Sequence, residues 1–575
     1  MDFKNLPSTA QAITSLTWQD LQPYARDLEE RHLDAASVTQ WLLDWTALLD
    51  RIGEMYNRLH LATTLNTINE QARQKYKDFL DQIYPAAMSS GQKLKERLLA
   101  SGLKPQGFEI PLRNMQAEAD LFRQENIPLQ AEDYRLNLEF DQLIGAQSLV
   151  WEGEETTIPH MRQKLQNPHR SEREKVWRAI AERQLVDRQT INSLWGRYMP
   201  LRAKIAANAG KPSYREFMWV EKLRFDYTPA DCKTFHQAIE QVAVPAAGRI
   251  YERHRQQMGL EALRPWDLID GWFNRPVNLN GKAPLKPFQD MDEFQHKTAA
   301  IFDHVDPKLG ERFKEMMTGQ LLDVANRKNK APGAYCTSFD AIRKPFVFMN
   351  AVGQHEDVMT LLHESGHAFH VFETAGLPYS QQLNTPMEFN EVASMAMELL
   401  ASPYLTREFG GFYTAEEAAR ARVEHMEGDI LFWPFMAVVD AFQHWAYENP
   451  QMGVEPASCD AKWAELWQRF IPVVDWSGLE DVRMTGWHRK LHIHQVPFYY
   501  VEYGLAQLGS VQIFGNAIQD QARAVASYRQ ALSLGGTVTL PELFKTAGGK
   551  FGFDVETLQQ AVSLMETTIV RLSAS

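Results

Sequence analysis

The chain has 575 residues, 44% of them hydrophobic and 23% charged, with a formal net charge of −13. An acidic balance of that size argues against nucleic acid or an anionic membrane surface as the main partner, while the length suffices for a sizeable core in one body with several lobes. Three scattered cysteines, Cys232, Cys336 and Cys459, form no C-x-x-C pair, which argues against a disulfide scaffold and for a reducing compartment.

Taken in chain order, residues 41–65, WLLDWTALLDRIGEMYNRLHLATTL, and 71–102 place apolar residues every three to four positions and predict helices, the second closed by Gly102. The stretch 104–114, KPQGFEIPLRN, reads as turns. Residues 112–195 return to a helical, highly charged pattern, so soft boundaries fall near 111 and 200. The pattern from 200 to 260 is helical again, and residues 272–288, WFNRPVNLNGKAPLKPF, carry the Pro, Asn and Gly of a loop. GAYCTSFD, 333–340, and PFVFMN, 345–350, are the strand candidates, short and rich in aromatic or β-branched residues. Beyond 356 nearly everything is helical. The expected class is mainly α with a small β element. The first twenty residues lack an apolar signal core and no run is long enough to span a bilayer, so the expectation is a cytoplasmic protein without a membrane partner.

The stretch MTLLHESGHAFHVF, 359–372, holds His363 and His367 four positions apart, with Glu364 beside the first. On a helix such residues share a face, and two imidazoles from adjacent turns grip one Zn²⁺. Glu364, one step round, reaches a metal-bound water without ligating the ion. The bland alternative is a solvated helix face with incidental histidines; H-E-x-x-H arises by chance in such a chain on the order of a few per cent of the time. A catalytic zinc wants a third protein ligand. The extended spacing with a third histidine fails, because position 370 is His370 and position 373 is Glu373. The helix predicted over 386–400, PMEFNEVASMAMELL, offers Glu388, Glu391 and Glu398; the last two are seven apart and share a face. On pattern alone a solvated acidic face explains these glutamates equally well.

HESGHAFH followed by EFNEVASMAMELL resembles the M3 family of zinc metallopeptidases, which includes thimet oligopeptidase, neurolysin and the oligoendopeptidase F group. The resemblance selects Glu391 as third ligand beside His363 and His367, and makes Glu398 the carboxylate that orients a ligand imidazole. It implies one Zn²⁺, with Glu364 as the base. Gly333, Ala334 and Tyr335 belong to a strand that such enzymes use to line the cleft and pair with an extended peptide. WHRKLHIHQVPFYYVEYG is also similar to the group and supplies His492, Tyr500 and Tyr503 as donors to the developing oxyanion, with His494 and Tyr499 as alternatives. Read without the resemblance, these tyrosines are core residues at helical spacing.

The family implies two helical lobes around a deep substrate channel, with a small β-sheet near the zinc helix. The segments become an N-terminal helical lobe, 1–111, an oligoendopeptidase F N-terminal-like helical segment, 112–200, and a catalytic domain, 201–575. The implied activity is cleavage of internal bonds in short unfolded peptides. Two rivals are a peptide-binding protein with a non-catalytic zinc and a metal hydrolase of a non-peptide bond. The sequence carries no mark of oligomeric state.

Overall fold

A computed structural model describes residues 1–268 and 284–574. Two compact units emerge, each assembled from three stretches of chain: Met1–Ala119, Pro284–Ala418 and Gly509–Phe551 in the first, Asp120–Ala283, Ala419–Leu508 and Gly552–Ser575 in the second. The fold is mainly α, as expected, and no helix among the described residues is long and apolar enough to cross a membrane.

Helix α1, Val38–Leu65, buries Trp41, Leu42, Trp45, Leu48, Met55 and Leu59, the three-to-four spacing that the sequence displays. Its core joins Leu21, Leu28, Phe79, Leu94 and Leu98 of the neighbouring helices, and Gly102 ends the last of these at φ +66, a conformation that costs a glycine little. The turn-rich reading of 104–114 is too long: a helix begins at Glu109 and runs to Leu121. Pro111 falls in its first turn, where the missing N–H is no loss.

A second departure lies inside the stretch read as helical. Ser148–Trp151 (β1) and Glu154–Thr157 (β2) pair antiparallel around Glu152 and Gly153, both at positive φ, so a two-residue turn of the hairpin kind interrupts the helices. Helix α2, Pro229–Gln241, follows a capping box between Thr228 and Asp231 and buries Cys232, Phe235, His236 and Ile239. Of the loop expected over 272–288, residues 272–283 lie outside the described residues, and 284–288 have no regular structure.

The expected strands form as β4, Tyr335–Phe339, and β5, Lys344–Ala351. A third strand, Leu322–Ala325 (β3), was not legible; it pairs parallel to β5, giving the order β3-β5-β4 with β4 at an edge. Helix α3, His355–Thr374, follows, then α4, Met387–Ala401, α5, Ala415–Glu448, α6, Tyr500–Gln519, and α7, Gln521–Ser533. The sheet, α3, α4 and α7 all belong to the first unit.

Candidate metal centre and active site

Asp357 fixes the start of α3. One of its oxygens accepts the N–H groups of Val352, Gly353 and Gln354, each at 2.8 Å, so the strand β5 hands the chain to the helix at a set angle. Val358, Leu361, Leu362, Phe369 and Phe372 then face the core. That apolar stripe leaves His363 and His367 together on another face, ring centroids 5.1 Å apart and partly exposed.

Helix α4 reaches this face because of Gly366. A β-carbon there would stand 2.4 Å from the Ala393 carbonyl oxygen and 2.6 Å from the Ser394 Cα, far inside any real contact. The two helices therefore touch backbone to backbone. That approach brings Glu391 Oε2 to 3.6 Å from His363 Nε2 and 3.9 Å from His367 Nε2. Gly366 was not singled out in the sequence, although an interior helix glycine costs about 1 kcal/mol against alanine and so signals a packing reason.

Two of the three ligand candidates are held from behind. His363 Nδ1 donates to Glu398 Oε1 at 2.7 Å, which orients the ring and leaves Nε2 facing Glu391. Ser394 Oγ donates to Glu391 Oε2 at 3.2 Å. Glu391 and Glu398, seven apart on α4, thus divide the work: one points among the imidazoles, the other braces one of them. Glu388 is buried on the same helix and is not among the grouped atoms.

The donor atoms of His363, His367 and Glu391 lie within 4.8 Å of one another. A tetrahedral ion with bonds of about 2.0–2.1 Å separates its ligand atoms by roughly 3.4 Å. The 3.6 and 3.9 Å separations are close to that spacing and too long for direct hydrogen bonds, so the residues fit a zinc-class ion. Without an ion, burial would depress His363, but Glu398, Glu391 and Glu364 outweigh it and lift its pKa to about 9. Burial, then the His363 and His370 charges, push His367 well down.

Glu364 is buried on α3, which packs against β4. Burial raises its pKa to about 7; the charge of His363 opposes that rise, while Glu391 and Glu398 add to it. Of the expected substrate strand, Gly333 has φ +97 and its carbonyl accepts Asn350 Nδ2 at 2.9 Å. Ala334 follows it at the open end of β4. The Tyr335 hydroxyl lies 2.6 Å from that of Thr64, and its ring stacks on Phe348.

The tyrosine cluster belongs to the second unit. Phe498, at φ +63, turns the chain there; its N–H donates to Gln443 Oε1 at 2.6 Å and its carbonyl accepts Arg224. The His492 ring, before that corner, lies 4.7 Å from Tyr500, 5.9 Å from Tyr499 and 6.2 Å from Tyr503, which follow it. Burial, then Lys490 and Lys222, bring His492 down to about 4, so its imidazole is neutral at pH 7. Burial and the neighbouring Tyr503 push Tyr500 up, which keeps its phenol protonated. His494, the alternative to His492, is instead fully buried, stacked at 4.4 Å on Phe140 and edged by Trp195.

A helical fold with an H-E-x-x-H helix, a glutamate helix packed against it and a small edge sheet defines a peptidase class. The sequence model of peptidase family M3 matches residues 163–562, and the chain belongs to that family. It is 26% identical over 253 residues to oligopeptidase PepF of Bacillus subtilis, strain 168, covering 42% of this chain and 36% of that protein. It is 26% identical over 172 residues to chromosomal oligoendopeptidase F of Lactococcus lactis subsp. cremoris, covering 29% of this chain and 26% of that one. These matches span about a quarter to a third of the curated relatives. Among solved structures, one described as an oligoendopeptidase F superposes with a TM-score of 0.84 at 25% identity over 99% of both chains. A PZ peptidase A with an inhibitor matches with a TM-score of 0.84 at 23% identity, over 100% of this chain and 99% of that one.

Proposed function

We propose that the chain is a zinc-dependent oligoendopeptidase that hydrolyses internal bonds of short unfolded peptides. The observation that carries this reading is the gathering of metal-ligand atoms from α3 and α4 beside a buried carboxylate. Donor atoms of His363, His367 and Glu391 lie within 4.8 Å of one another, while Glu364, buried on the same helix beside His363, is not among them.

Zn²⁺ held by His363, His367 and Glu391 would polarise the scissile carbonyl and acidify the attacking water. Glu364 accepts the water's proton and delivers it to the departing amine nitrogen, which returns its carboxylate to the starting state. Glu398 keeps His363 Nε2 directed inward throughout. The edge strand β4, with Gly333, Ala334 and Tyr335 at its start, is assigned to the extended substrate backbone, its outer edge being unpaired within the sheet. Tyr500 and Tyr503, with neutral His492, are assigned as donors to the carbonyl oxygen as charge builds on it, with Tyr499 beside them. A base that does not ligate distinguishes this reading from a peptide-binding protein with a structural zinc.

The test is Glu364→Gln. It should keep its zinc, measured by elemental analysis, and still bind a short quenched peptide, while turnover falls by several orders of magnitude. Reduced casein should survive the wild-type enzyme that cuts the short peptide. Loss of zinc in the variant would make Glu364 a ligand and overturn the assignment; unchanged turnover would remove it from the chemistry.

A further inference from the structure

The second unit contains another group of metal-binding side chains, built with the same helical arithmetic. Cys232 and His236 lie four apart on α2, and Asp440 and His444 four apart on α5, so each helix presents two donors on one face. All four are buried, with exposures of 0, 4, 0 and 2% respectively. Donor atoms of Cys232, Asp440 and His444 lie within 4.8 Å of one another. His236 Nε2 sits 2.8 Å from Asp440 Oδ2, and His444 Nε2 is 3.4 Å from the same oxygen. The surrounding wall is apolar: Trp219 and Phe498 pack on the His444 ring at 5.7 and 5.4 Å.

Asp440 and His444 are incompletely satisfied by protein atoms. Asp440 Oδ1 and His444 Nδ1 are buried without a hydrogen-bond partner, and His444 Nε2 has only the long 3.4 Å approach to Asp440 Oδ2. A buried polar atom left dry is costly, and such a concentration in one spot calls for a cause. A divalent cation supplies one. It takes the Asp440 oxygen, one His444 nitrogen and the Cys232 sulfur, whose proton leaves to solvent on binding. Two negative ligands then balance the ion's double charge, so the dry site carries no net charge. Arg215, whose charge reaches His444, is itself paired with Glu216 and Glu448.

We propose that Cys232, Asp440 and His444 form a second, structural site for a zinc-class divalent cation, in which His236 orients the Asp440 carboxylate and is the donor at hand for a fourth position. The ion would pin α2 to α5, closed from solvent as structural zinc sites are. It takes no part in the peptidase reading and does not rest on it.

The experiment uses the full chain, stripped with a chelator under reducing conditions and titrated with Co²⁺. Wild type should take up two equivalents, with an intense near-ultraviolet thiolate-to-cobalt charge-transfer band accompanying one of them. Cys232→Ser should bind one equivalent and lose the band while cleaving peptide as before. Cys336→Ser should keep the band, and Glu391→Ala should keep it while losing the other equivalent. One equivalent and no thiolate band in folded wild-type protein would overturn the proposal, whatever the variants do. A band that survives Cys232→Ser would overturn it too. Failure of Glu391→Ala to lose an equivalent counts against the catalytic ligand set and leaves this site standing, which keeps the two readings separable.

Discussion

Gly366→Ala is the sharpest probe of how the two site helices meet. The added methyl would lie 2.4 Å from the Ala393 carbonyl oxygen, about 1 Å short of ordinary contact, and 2.6 Å from the Ser394 Cα. Both obstacles are backbone, so no rotamer change relieves them. The Ala393 carbonyl also accepts the buried Tyr528 hydroxyl from α7 at 2.6 Å, which ties it in place. Overpacking of this kind costs about 1–3 kcal/mol, and losing the Tyr528 bond adds about 1 kcal/mol. Alanine's better helix propensity returns about 1 kcal/mol, leaving a net loss of about 1–3 kcal/mol. The effect on metal should exceed the effect on stability. Ligand distances tolerate only about 0.2 Å, and a shift of about 1 Å between α3 and α4 carries Glu391 out of that range. Removing a mere orienting partner costs about 10–100-fold in affinity, so displacing a ligand should cost at least the upper value. The assay is zinc competition against a chromogenic chelator, with thermal melting alongside. Gly376→Ala serves as control, since a β-carbon there meets open space. A Gly366→Ala protein with wild-type zinc affinity and melting temperature would refute the close-approach argument.

Glu398→Gln keeps the shape of the brace but removes its charge from His363 Nδ1, and zinc should bind about 10–100-fold more weakly with little change in melting. Tyr500→Phe and Tyr503→Phe each delete one hydroxyl; at least one should lower kcat about a hundredfold with KM nearly unchanged, and normal rates in both would return these tyrosines to a packing role. Asp340 supplies a pH test in the first unit. Burial raises its pKa to about 6, Ser338 and Arg343 opposing and Asp50 and Glu54 adding, so the protonated acid is the form that the fold favours. Its penalty is absent below the unfolded value near 4, grows as pH rises to about 6, and is constant above. Asp340→Asn should therefore gain on wild type by about 2 kcal/mol between pH 4 and pH 7 in denaturant titrations, and a flat difference across that window would show that Asp340 ionises as it does in the unfolded chain.

The parts of this protein that a reader of its sequence recovers are those with a local rule. His363 and His367 share a face because four residues make about one helical turn, and Gly102 marks a helix end because its backbone adopts φ +66. The β1–β2 hairpin had a local rule that went unread: Glu152-Gly153 between Val150, Trp151 and Thr156 is a two-residue turn with strand formers on its flanks, masked by the charge density of WEGEETT. The β3 strand had none, since four residues pairing parallel to a strand some twenty positions on leave no periodicity to see. Nor did the interleaving of three chain stretches into each unit. The division of labour on α4 is of the same nonlocal kind. Glu391 and Glu398 are equivalent by spacing, and only the depth at which α4 crosses α3, set by the missing side chain of Gly366, sends one carboxylate among the imidazoles and the other behind His363. The Cys232 and Asp440 group makes the same point. Each helix obeys the four-residue rule that flagged His363, yet His236 and Asp440 are 204 positions apart, and neither pair looks like a site until packing supplies its other half. A four-residue spacing of donors is thus half of a metal centre, and the fold decides whether the other half arrives.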